Sequence, residues 1–545
     1  MKLINNWIKR NPARDPFILD DITNQIADIR GVDVNDHLNP SPDHMHSPYL
    51  LNNIEIVAQR IKQAIDNGEK IGISYDIDTD GITAGTTTYR YLKYFTDNLV
   101  YIYHQRKDGH GISVQQIPID INLLIVVDSS SNETKKCKEL SEQGIDILIL
   151  DHHPSFKNNP YAIIVNPQMD NYPNKNLSGV GVVFKCIEVL DNLFETFYSY
   201  EFIDLCAIGI QGDTMSMSEA ENRFILYQGL HNIKNPGIKA ILKKAGVFDI
   251  DSQTISYKLA PIINSCARTN QIEKIIELLL EDDFDKCLIL AKECISLNED
   301  RKKTQAKLFT KVKNRIDLSH KIIIVETNEK DKIDKGYQGL LAMNIADHYG
   351  KPTLVVKNHE EVCAGSGRGI GNIKLKELLL ESKLFEYAEG HSSAFGCQFK
   401  KQYLNDILNY ADEIIEEEQQ EQKTILYDLE LDKDDINYDL IKKIQQYNYI
   451  TGKNCESTKF VIRNLTIEEI KVIGKMLDTV KIKTEILDCI KFKVNELWAD
   501  ALDVGCLIDV IGSLNINKWY NFGTKSWIEN LQMLIEDYKF SEINV

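Results

Sequence analysis

The chain has 545 residues, 43% of them hydrophobic and 26% charged, which at ~100–200 residues per domain implies roughly three or four globular domains. Sixty-three Lys and Arg against eighty-one Asp and Glu give a net charge of −18, which taken alone disfavours a phosphate-neutralising surface but does not say where the charges sit. Eleven Cys without a CxxC pair exclude zinc knuckles and a disulfide scaffold, and with neither an ~18-residue apolar run nor an apolar N-terminal core the expectation is a soluble, reducing-compartment protein.

From about Lys70, short apolar runs alternate with helical patterns. The runs are Lys70–Tyr75, Leu99–Tyr103, Ile121–Val127, Ile145–Leu150 and Ala162–Val165, each rich in Ile and Val. They lack strict alternation, as strands buried on both faces do. Helix-compatible stretches such as Ile82–Phe95 and Asn132–Gln143 lie between them. Strand–helix–strand repetition predicts an α/β fold with a mostly parallel, doubly wound sheet. From Val180 to about Arg315 the periodicity is mainly helical.

A second α/β unit begins near His320, with strand-like Lys321–Val325, a helix around Gly339–Tyr349 and a strand at Thr353–Lys357. After about Glu421 a third region mixes β-like runs such as Lys459–Arg463 and Val504–Ile511 with two helical stretches. Two charge runs mark the joints. Arg301–Arg315 carries seven Lys or Arg and no acid, and Asp412–Glu421 carries six acids and no base. The acidic run reads as a solvated helix face, whereas seven like charges repel unless something anionic compensates them.

The acids fall at the strand ends. The first strand runs into Asp76-Ile77-Asp78-Thr79-Asp80-Gly81, the third ends at Asp128, and the fourth ends in Asp151-His152-His153. These are carboxyl ends, the edge where open α/β sheets build sites. Asp213 follows the apolar stretch Leu205–Ile210 as a fourth candidate. Clustered carboxylates raise each other's pKa, and hard divalent ions such as Mg²⁺ or Mn²⁺ resolve the conflict. Five or six acids with one or two His suit a two-metal site for a phosphoryl centre. A calcium loop would need a Glu six residues after Gly81, and position 87 is Thr.

These residues resemble the DHH phosphoesterase superfamily, and within it the RecJ single-stranded-DNA exonucleases. Tyr75–Gly81 matches the family's GDYDADG motif, and Val127-Asp128-Ser129-Ser130 resembles VDNG with Ser130 in place of Gly. Asp151-His152-His153 is intact, and Asp213 is followed by Asn222-Arg223 as in the fourth motif. Asn166-Pro167 and Leu177-Ser178-Gly179-Val180-Gly181 resemble the NP…LSGxG segment. Arg106 with Gly109-His110-Gly111 resembles the PNRFEEGYG segment, and PIINSCAR (Pro261–Arg268) resembles PRINAAGR with Ile262 for the first Arg. Gly365-Ser366-Gly367-Arg368 matches the SGR signature of the DHH-associated C-terminal domain, and Glu389-Gly390-His391 its GGH. Beyond Leu426 the chain resembles the RecJ OB-fold, most clearly in Leu514–Trp519 and strand-like Asn530–Asp537.

The resemblance implies that Asp76, Asp78, Asp80, Asp128, His152 and Asp213 hold two ions, Mn²⁺ or Mg²⁺, with His153 and Asp151 as catalytic groups beside the scissile phosphate. Arg106, His110, Ser178, Arg268, Lys303, Lys307, Arg368 and His391 are the expected substrate contacts. Gly365–Gly371 reads as a Gly-rich loop ahead of helical Lys374–Leu380, a phosphate cradle. Lys303, Lys307 and Lys311 recur every four residues and share one helix face, a stripe that could follow a phosphate backbone.

The expected organisation is a lead segment (1–60), a DHH catalytic domain (61–295), a long connecting helix (296–319), a smaller α/β DHH-associated domain (320–422) and an OB-like β domain (423–545). The implied activity is metal-dependent 5′-to-3′ hydrolysis of single-stranded DNA to mononucleotides, in repair, recombination or replication. The expected partners are single-stranded DNA and a single-strand-binding protein or helicase, for a cytoplasmic monomer that meets no membrane. Two alternatives stand beside this reading: a small-substrate DHH phosphoesterase acting on oligoribonucleotides or cyclic dinucleotides, and a non-catalytic DHH scaffold. The ~120 residues after Gln422 count against the first, and the four surviving acidic motifs against the second.

Overall fold

Five Ile- and Val-rich runs pair into one parallel sheet: β1 (Ile71–Tyr75), β2 (Leu99–Tyr101), β3 (Leu123–Val127), β4 (Asp146–Leu150) and β5 (Ile163–Val165). A computed structural model describes residues 5–12, 21–103, 111–155, 158–371, 373–415, 424–474, 478–494, 496–521 and 523–541. It divides into two units, one comprising Leu38–Arg301 with Tyr449–Glu456, the other Met1–His37, Lys302–Asn448 and Ser457–Val545.

In the first unit the strand order is β2-β1-β3-β4-β5. Successive residues of a strand face opposite sides, so Ile125 and Val127 enter one core while Leu124 and Val126 enter another. Both faces are covered, which is why the strands read as continuous apolar runs. On the larger core lie α1 (Ile54–Asp66), α2 (Thr79–Leu92), α4 (Gly179–Phe194) and α5 (Ile203–Gly212); α3 (Thr134–Ser141) contributes Cys137 and Leu140 to the other. Each buried Leu, Ile or Val contributes ~1.5–3 kcal/mol. The strand order reverses direction between β1 and β3, and at such a switch point a crevice opens beyond the carboxyl ends of the strands.

The helical region continues through α6 (Ala220–His231), α7 (Ala260–Arg268) and the long α8 (Phe284–Val312). Ahead of α7, Ile255–Leu259 winds as a π-helical turn. The unit also takes up eight residues, Tyr449–Glu456, from the stretch expected to be purely OB-like. Thr451 is the anchor: its N–H donates to Ser252 Oγ at 2.8 Å, and its carbonyl accepts from Gln211 Nε2 at 3.1 Å.

In the second unit, β6 (Ile323–Thr327), β7 (Thr353–His359), β8 (Val362–Arg368), β9 (Phe385–His391) and β10 (Ala394–Lys400) form a mixed sheet in the order β9-β10-β8-β7-β6. Helix α9 (Lys335–Tyr349) covers it. Gly365–Arg368, expected in a loop, lies inside β8 and pairs with β7 and β10. Its amides are committed to those ladders, so the backbone phosphate cradle is not formed there. Gly390-His391 likewise ends strand β9.

Strands β11 (Leu429–Leu431), β12 (Phe460–Ile473), β13 (Thr479–Thr484), β14 (Asp488–Phe492), β15 (Leu507–Asn521) and β16 (Ser526–Phe540) form the third region. The ladder runs β12-β13-β14-β16-β15 and returns from β15 to β12, closing a five-stranded barrel of OB type. Met1–His37 group with this unit. Asn6–Lys9 pairs in parallel with Thr424–Tyr427, and Arg30 makes a bidentate contact of 2.8 and 2.7 Å with the buried Asp428.

The basic run lies at the end of α8, with Lys303 and Lys307 exposed. Part of its charge is compensated internally, because Arg315 grips Asp331 at 2.7 and 2.8 Å and Lys311 Nζ lies 3.6 Å from the same carboxylate. Of the acidic run, Asp412 is not merely solvated. It accepts from the Lys321 N–H at 2.7 Å and meets His320 Nδ1 at 2.6 Å; residues 416–421 lie outside the described residues. Among the described residues no helix is long and apolar enough to cross a membrane.

Candidate metal centre

Asp76 and Asp78 follow β1, Asp128 follows β3, and Asp151-His152-His153 follow β4, so one sheet edge receives them all. Asp78 caps α2, accepting the Gly81 N–H at 3.1 Å, which puts Asp80 in the first helical turn. Asp213 ends α5 and joins from the side of the α2–α5 pair.

Asp80 is almost fully buried, and its carboxylate receives the N–H groups of Gly179 and Val180 at 2.6 and 3.1 Å. The positive end of α4 therefore holds it in place. Two glycines make this possible by lacking a side chain. A Cβ on Gly179 would stand 2.4 Å from Asp128 Oδ1, and one on Gly209 would stand 2.5 Å from Asp80 Oδ1.

The turn after β3 is strained, with Asp128 at φ 60° and Ser130 at φ 80°. Ser130 thus adopts the left-handed backbone that a Gly would take there without cost. Its hydroxyl accepts from the Ile112 N–H at 3.1 Å, which offsets part of the strain.

Nε2 of His152 lies 3.2 Å from Asp128 Oδ1, 3.5 Å from Asp213 Oδ2 and 3.9 Å from Asp80 Oδ2. Three overlapping groups each bring their ligand atoms within 4.8 Å: Asp76 with Asp78 and Asp128, Asp80 with His152 and Asp213, and Asp128 with His152 and His153. All six residues expected as ligands are in this constellation. Asp128 Oδ1 and His152 Nε2 are buried without a hydrogen-bond partner.

The electrostatics agree with a cation site. Burial, and then the charges of Asp80, Asp78, Asp76 and Asp213, push the Asp128 carboxyl well above its ordinary range. Burial with Asp76 and Asp80 pushes Asp78 up to about 7, and burial with Asp80 and Asp78 pushes Asp213 up to about 8. Burial pushes His152 down, leaving its imidazole neutral with a lone pair to offer. Carboxylates that otherwise retain protons, beside a neutral imidazole, fit hard divalent cations.

Asp151 is a supporting residue rather than a group facing the crevice. It is almost fully buried, accepts the His152 and His153 N–H groups at 2.7 and 3.1 Å, and meets His153 Nδ1 at 2.8 Å. Burial works against ionisation of Asp151, but the hydrogen bond and charge of His153 hold it well below the usual carboxylate range. Burial likewise lowers His153, yet Asp151 outweighs it and brings the imidazole up to about 9. Asn166 Nδ2 donates to the His153 carbonyl at 2.9 Å, giving the Asn-Pro motif its local task. The His153 side chain is 50% exposed, so its second ring nitrogen is available to a ligand.

Ser178, expected as a substrate contact, is instead a fully buried helix cap whose hydroxyl accepts the Gly181 N–H at 3.3 Å. Its task is to present the α4 amides to Asp80. Arg268 is in the last turn of α7, and Ile262 enters the core where the family's first Arg is expected. Arg106 and His110 lie outside the described residues. Lys303, Lys307, Arg368 and His391 belong to the second unit. There, the Arg368 guanidinium lies against Gly339 of α9, where a Cβ would stand 2.7 Å from Nη2.

The Tyr449–Glu456 segment, which the sequence does not mark as part of the site, brings Lys453 beside the residues that follow Asp213. The Met217 N–H donates to the Lys453 carbonyl at 2.8 Å. The GKN tripeptide at a turn was its only local signal.

Residues 70–210 match the DHH family, N-terminal domain, and residues 427–537 match the RecJ OB domain. The chain is 29% identical over 521 residues to YorK, a protein of the Bacillus subtilis SPbeta prophage whose name is that of a single-strand DNA-specific exonuclease; the match covers 86% of this chain and 88% of YorK. It is 28% identical to the single-stranded-DNA-specific exonuclease RecJ of Bacillus subtilis, over 91% of this chain and 64% of that one. The fold superposes on the crystal structure of Thermus thermophilus RecJ in complex with Mn²⁺ with a TM-score of 0.78 at 20% identity, covering 98% of this chain and 80% of that one.

Proposed function

As a RecJ-like chain with a DHH-family domain and a RecJ-type OB domain, the protein is, we propose, a metal-dependent exonuclease that hydrolyses phosphodiester bonds of single-stranded DNA. The observation that carries this reading is the convergence of Asp76, Asp78, Asp80, Asp128, His152 and Asp213 around the unpartnered Asp128 Oδ1 and His152 Nε2. Asp76, Asp78 and Asp128 would hold one Mn²⁺ or Mg²⁺, and Asp80, His152 and Asp213 a second. Such ions, when bound, supply Lewis-acid activation and charge neutralisation at a phosphodiester.

The chain's own residues do the rest. The α4 N-terminus fixes Asp80, and the strained β3 turn fixes Asp128, so the ligands are in position before substrate arrives. Asp151 orients the His153 ring through Nδ1 and keeps the imidazole protonated near neutral pH, so that Nε2–H can donate to a phosphate oxygen or to the departing 3′ oxygen. Arg106, His110, Arg268, Lys303, Lys307, Arg368 and His391 are the proposed contacts to the strand. Residues 61–295 form the proposed catalytic domain, joined by the connecting helix to the DHH-associated and OB-like domains. Digestion runs 5′ to 3′ to mononucleotides, and the setting is repair, recombination or replication. On this reading the protein is a cytoplasmic monomer that works with a single-strand-binding protein or a helicase. Eleven free thiols, nine of them buried, suit a reducing compartment.

The test is digestion of 5′-labelled single-stranded DNA, duplex DNA and a dinucleotide in Mn²⁺. Single-strand digestion should dominate, and Asp80→Ala should abolish it. Preference for the dinucleotide would overturn the reading, and activity retained by Asp80→Ala would remove the assigned centre.

A further inference from the structure

The Gly452–Cys455 turn carries a cation, Lys453, beside the residues that follow Asp213. Gly452 and Cys455 exchange backbone hydrogen bonds of 2.9 and 3.1 Å, so Lys453 and Asn454 form the tip of a two-residue turn. Asn454, the second residue of that tip, takes the left-handed conformation at φ 61°. The turn is locked to the chain just past Asp213. Ser216 bridges in parallel to Lys453, Asn454 Nδ2 donates to Ser216 Oγ at 3.0 Å, and Gln211 Nε2, two residues before Asp213, donates to the Thr451 carbonyl at 3.1 Å. The register of the turn is therefore fixed relative to the metal-ligand segment Gln211–Met217.

Lys453 itself is exposed, and among the described residues no carboxylate forms an ion pair with it. Its backbone is held against Ser216 and Met217, three and four residues past Asp213. A crevice lined with carboxylates repels a polyanionic strand at any point that bound cations do not screen. An exposed ammonium with three donors, on a tip tied to the segment that follows Asp213, is complementary to a phosphodiester oxygen.

We propose that Lys453 contacts a backbone phosphate of the single strand where it passes Asp213, making the Tyr449–Glu456 segment part of the substrate site. This inference rests on the exonuclease reading above. The contact is to the backbone and carries no sequence information, so it strengthens strand binding without changing base preference.

The experiment compares the full-length wild type, Lys453→Ala and Lys453→Arg. It measures kcat and KM on 5′-labelled single-stranded DNA in Mn²⁺ over a KCl series, and Mn²⁺ binding by the electron paramagnetic resonance of the free ion. Lys453→Ala should raise KM about tenfold, as loss of one charge-assisted contact does, with kcat changed less than about threefold. Its plot of log kcat/KM against log salt should become shallower by about 0.7, the loss of one phosphate contact on a single strand. Lys453→Arg should restore both. An unchanged salt slope overturns the inference, whether KM is unaltered or Mn²⁺ affinity has changed instead, because Lys453 would then serve only Asp213. A wild type that leaves the strand intact overturns the exonuclease reading and this inference together, whereas an active wild type with an indistinguishable Lys453→Ala overturns this inference alone.

Discussion

His153 donates through Nδ1 to Asp151 Oδ1 at 2.8 Å, and the same carboxylate oxygen receives the His153 backbone N–H at 3.1 Å. One buried acid thus sets both the ring orientation and the backbone of the histidine that ends the motif. Asp151→Asn weakens this hold while keeping the shape of the side chain. It should lower kcat about 10–100-fold, the usual effect of losing a carboxylate that orients a functional imidazole. Mn²⁺ binding should remain close to wild type, because Asp151 is not among the proposed ligands. Calorimetric titration with Mn²⁺ alongside steady-state kinetics checks this, and a variant that loses both together would make Asp151 a ligand.

The acid cluster should make metal-free protein less stable as pH rises. Asp78 and Asp213 keep their protons up to about 7 and about 8 in the folded chain, whereas an unfolded Asp loses its proton near ~4. Between those limits the folded state binds more protons than the unfolded state. The linkage slope is then negative, approaching about −1.4 kcal/mol per pH unit for each retained proton. Thermal melts in EDTA should therefore show stability falling between pH 4.5 and 8. Asp213→Asn should flatten the fall. Saturating Mn²⁺ should reverse it at neutral pH, because the ion replaces the protons. Parallel slopes with and without Mn²⁺ would contradict this account.

A buried ion pair holds the scaffold beneath the site. Lys185 and Glu221 have fully buried side chains 2.9 Å apart, and Glu221 also accepts from Tyr172 Oη at 2.8 Å and from Asn174 Nδ2 at 3.1 Å. This network anchors the segment that leads into the Ser178 cap, and so the amides that hold Asp80. Lys185→Met leaves Glu221 buried without its cation and should cost about 3–5 kcal/mol. Lys185→Met with Glu221→Gln should recover a large part of that, which urea unfolding of both variants measures.

In the second unit, Asp331 should behave in the opposite sense to the metal-site acids. The bidentate hydrogen bonds from Arg315, opposed by burial, hold its carboxyl well below the ordinary range. Its stabilising contribution is present above ~4 and is lost as pH falls toward the folded value. Arg315 is 39% exposed, so solvent screening limits the effect of Asp331→Asn to about 1 kcal/mol at neutral pH. Melts of wild type and variant should converge on acidification, and a difference that persisted would point to packing rather than charge.

Much of this site could be read from the primary structure because its signals are local. A run such as Leu123–Val127 is apolar on both faces only if both are covered, which predicts a doubly covered sheet. An acid directly after such a run can only stand at the carboxyl edge, so the sequence alone places Asp76, Asp128 and Asp151 there. The Gly-rich segment at Gly365–Arg368 misled for a related reason. Glycines that suit a loop also suit a crowded strand, where a Cβ on Gly365 would stand 2.0 Å from the Val355 carbonyl oxygen.

What the amino-acid sequence determined by itself was the sheet, the edge and the chemical type of its ligands, since a short continuous apolar run and a strand end are properties of neighbouring residues. What only the tertiary structure decided were the pairings across the chain. Asp80 is held by amides 99 and 100 residues away, and Gln211 reaches Thr451 across 240. Ser178 spends its hydroxyl on its own helix, and the basic run loses part of its charge to Asp331. No periodicity records such contacts, because a hydrogen bond between distant residues constrains each partner's chemistry without marking the residues beside it.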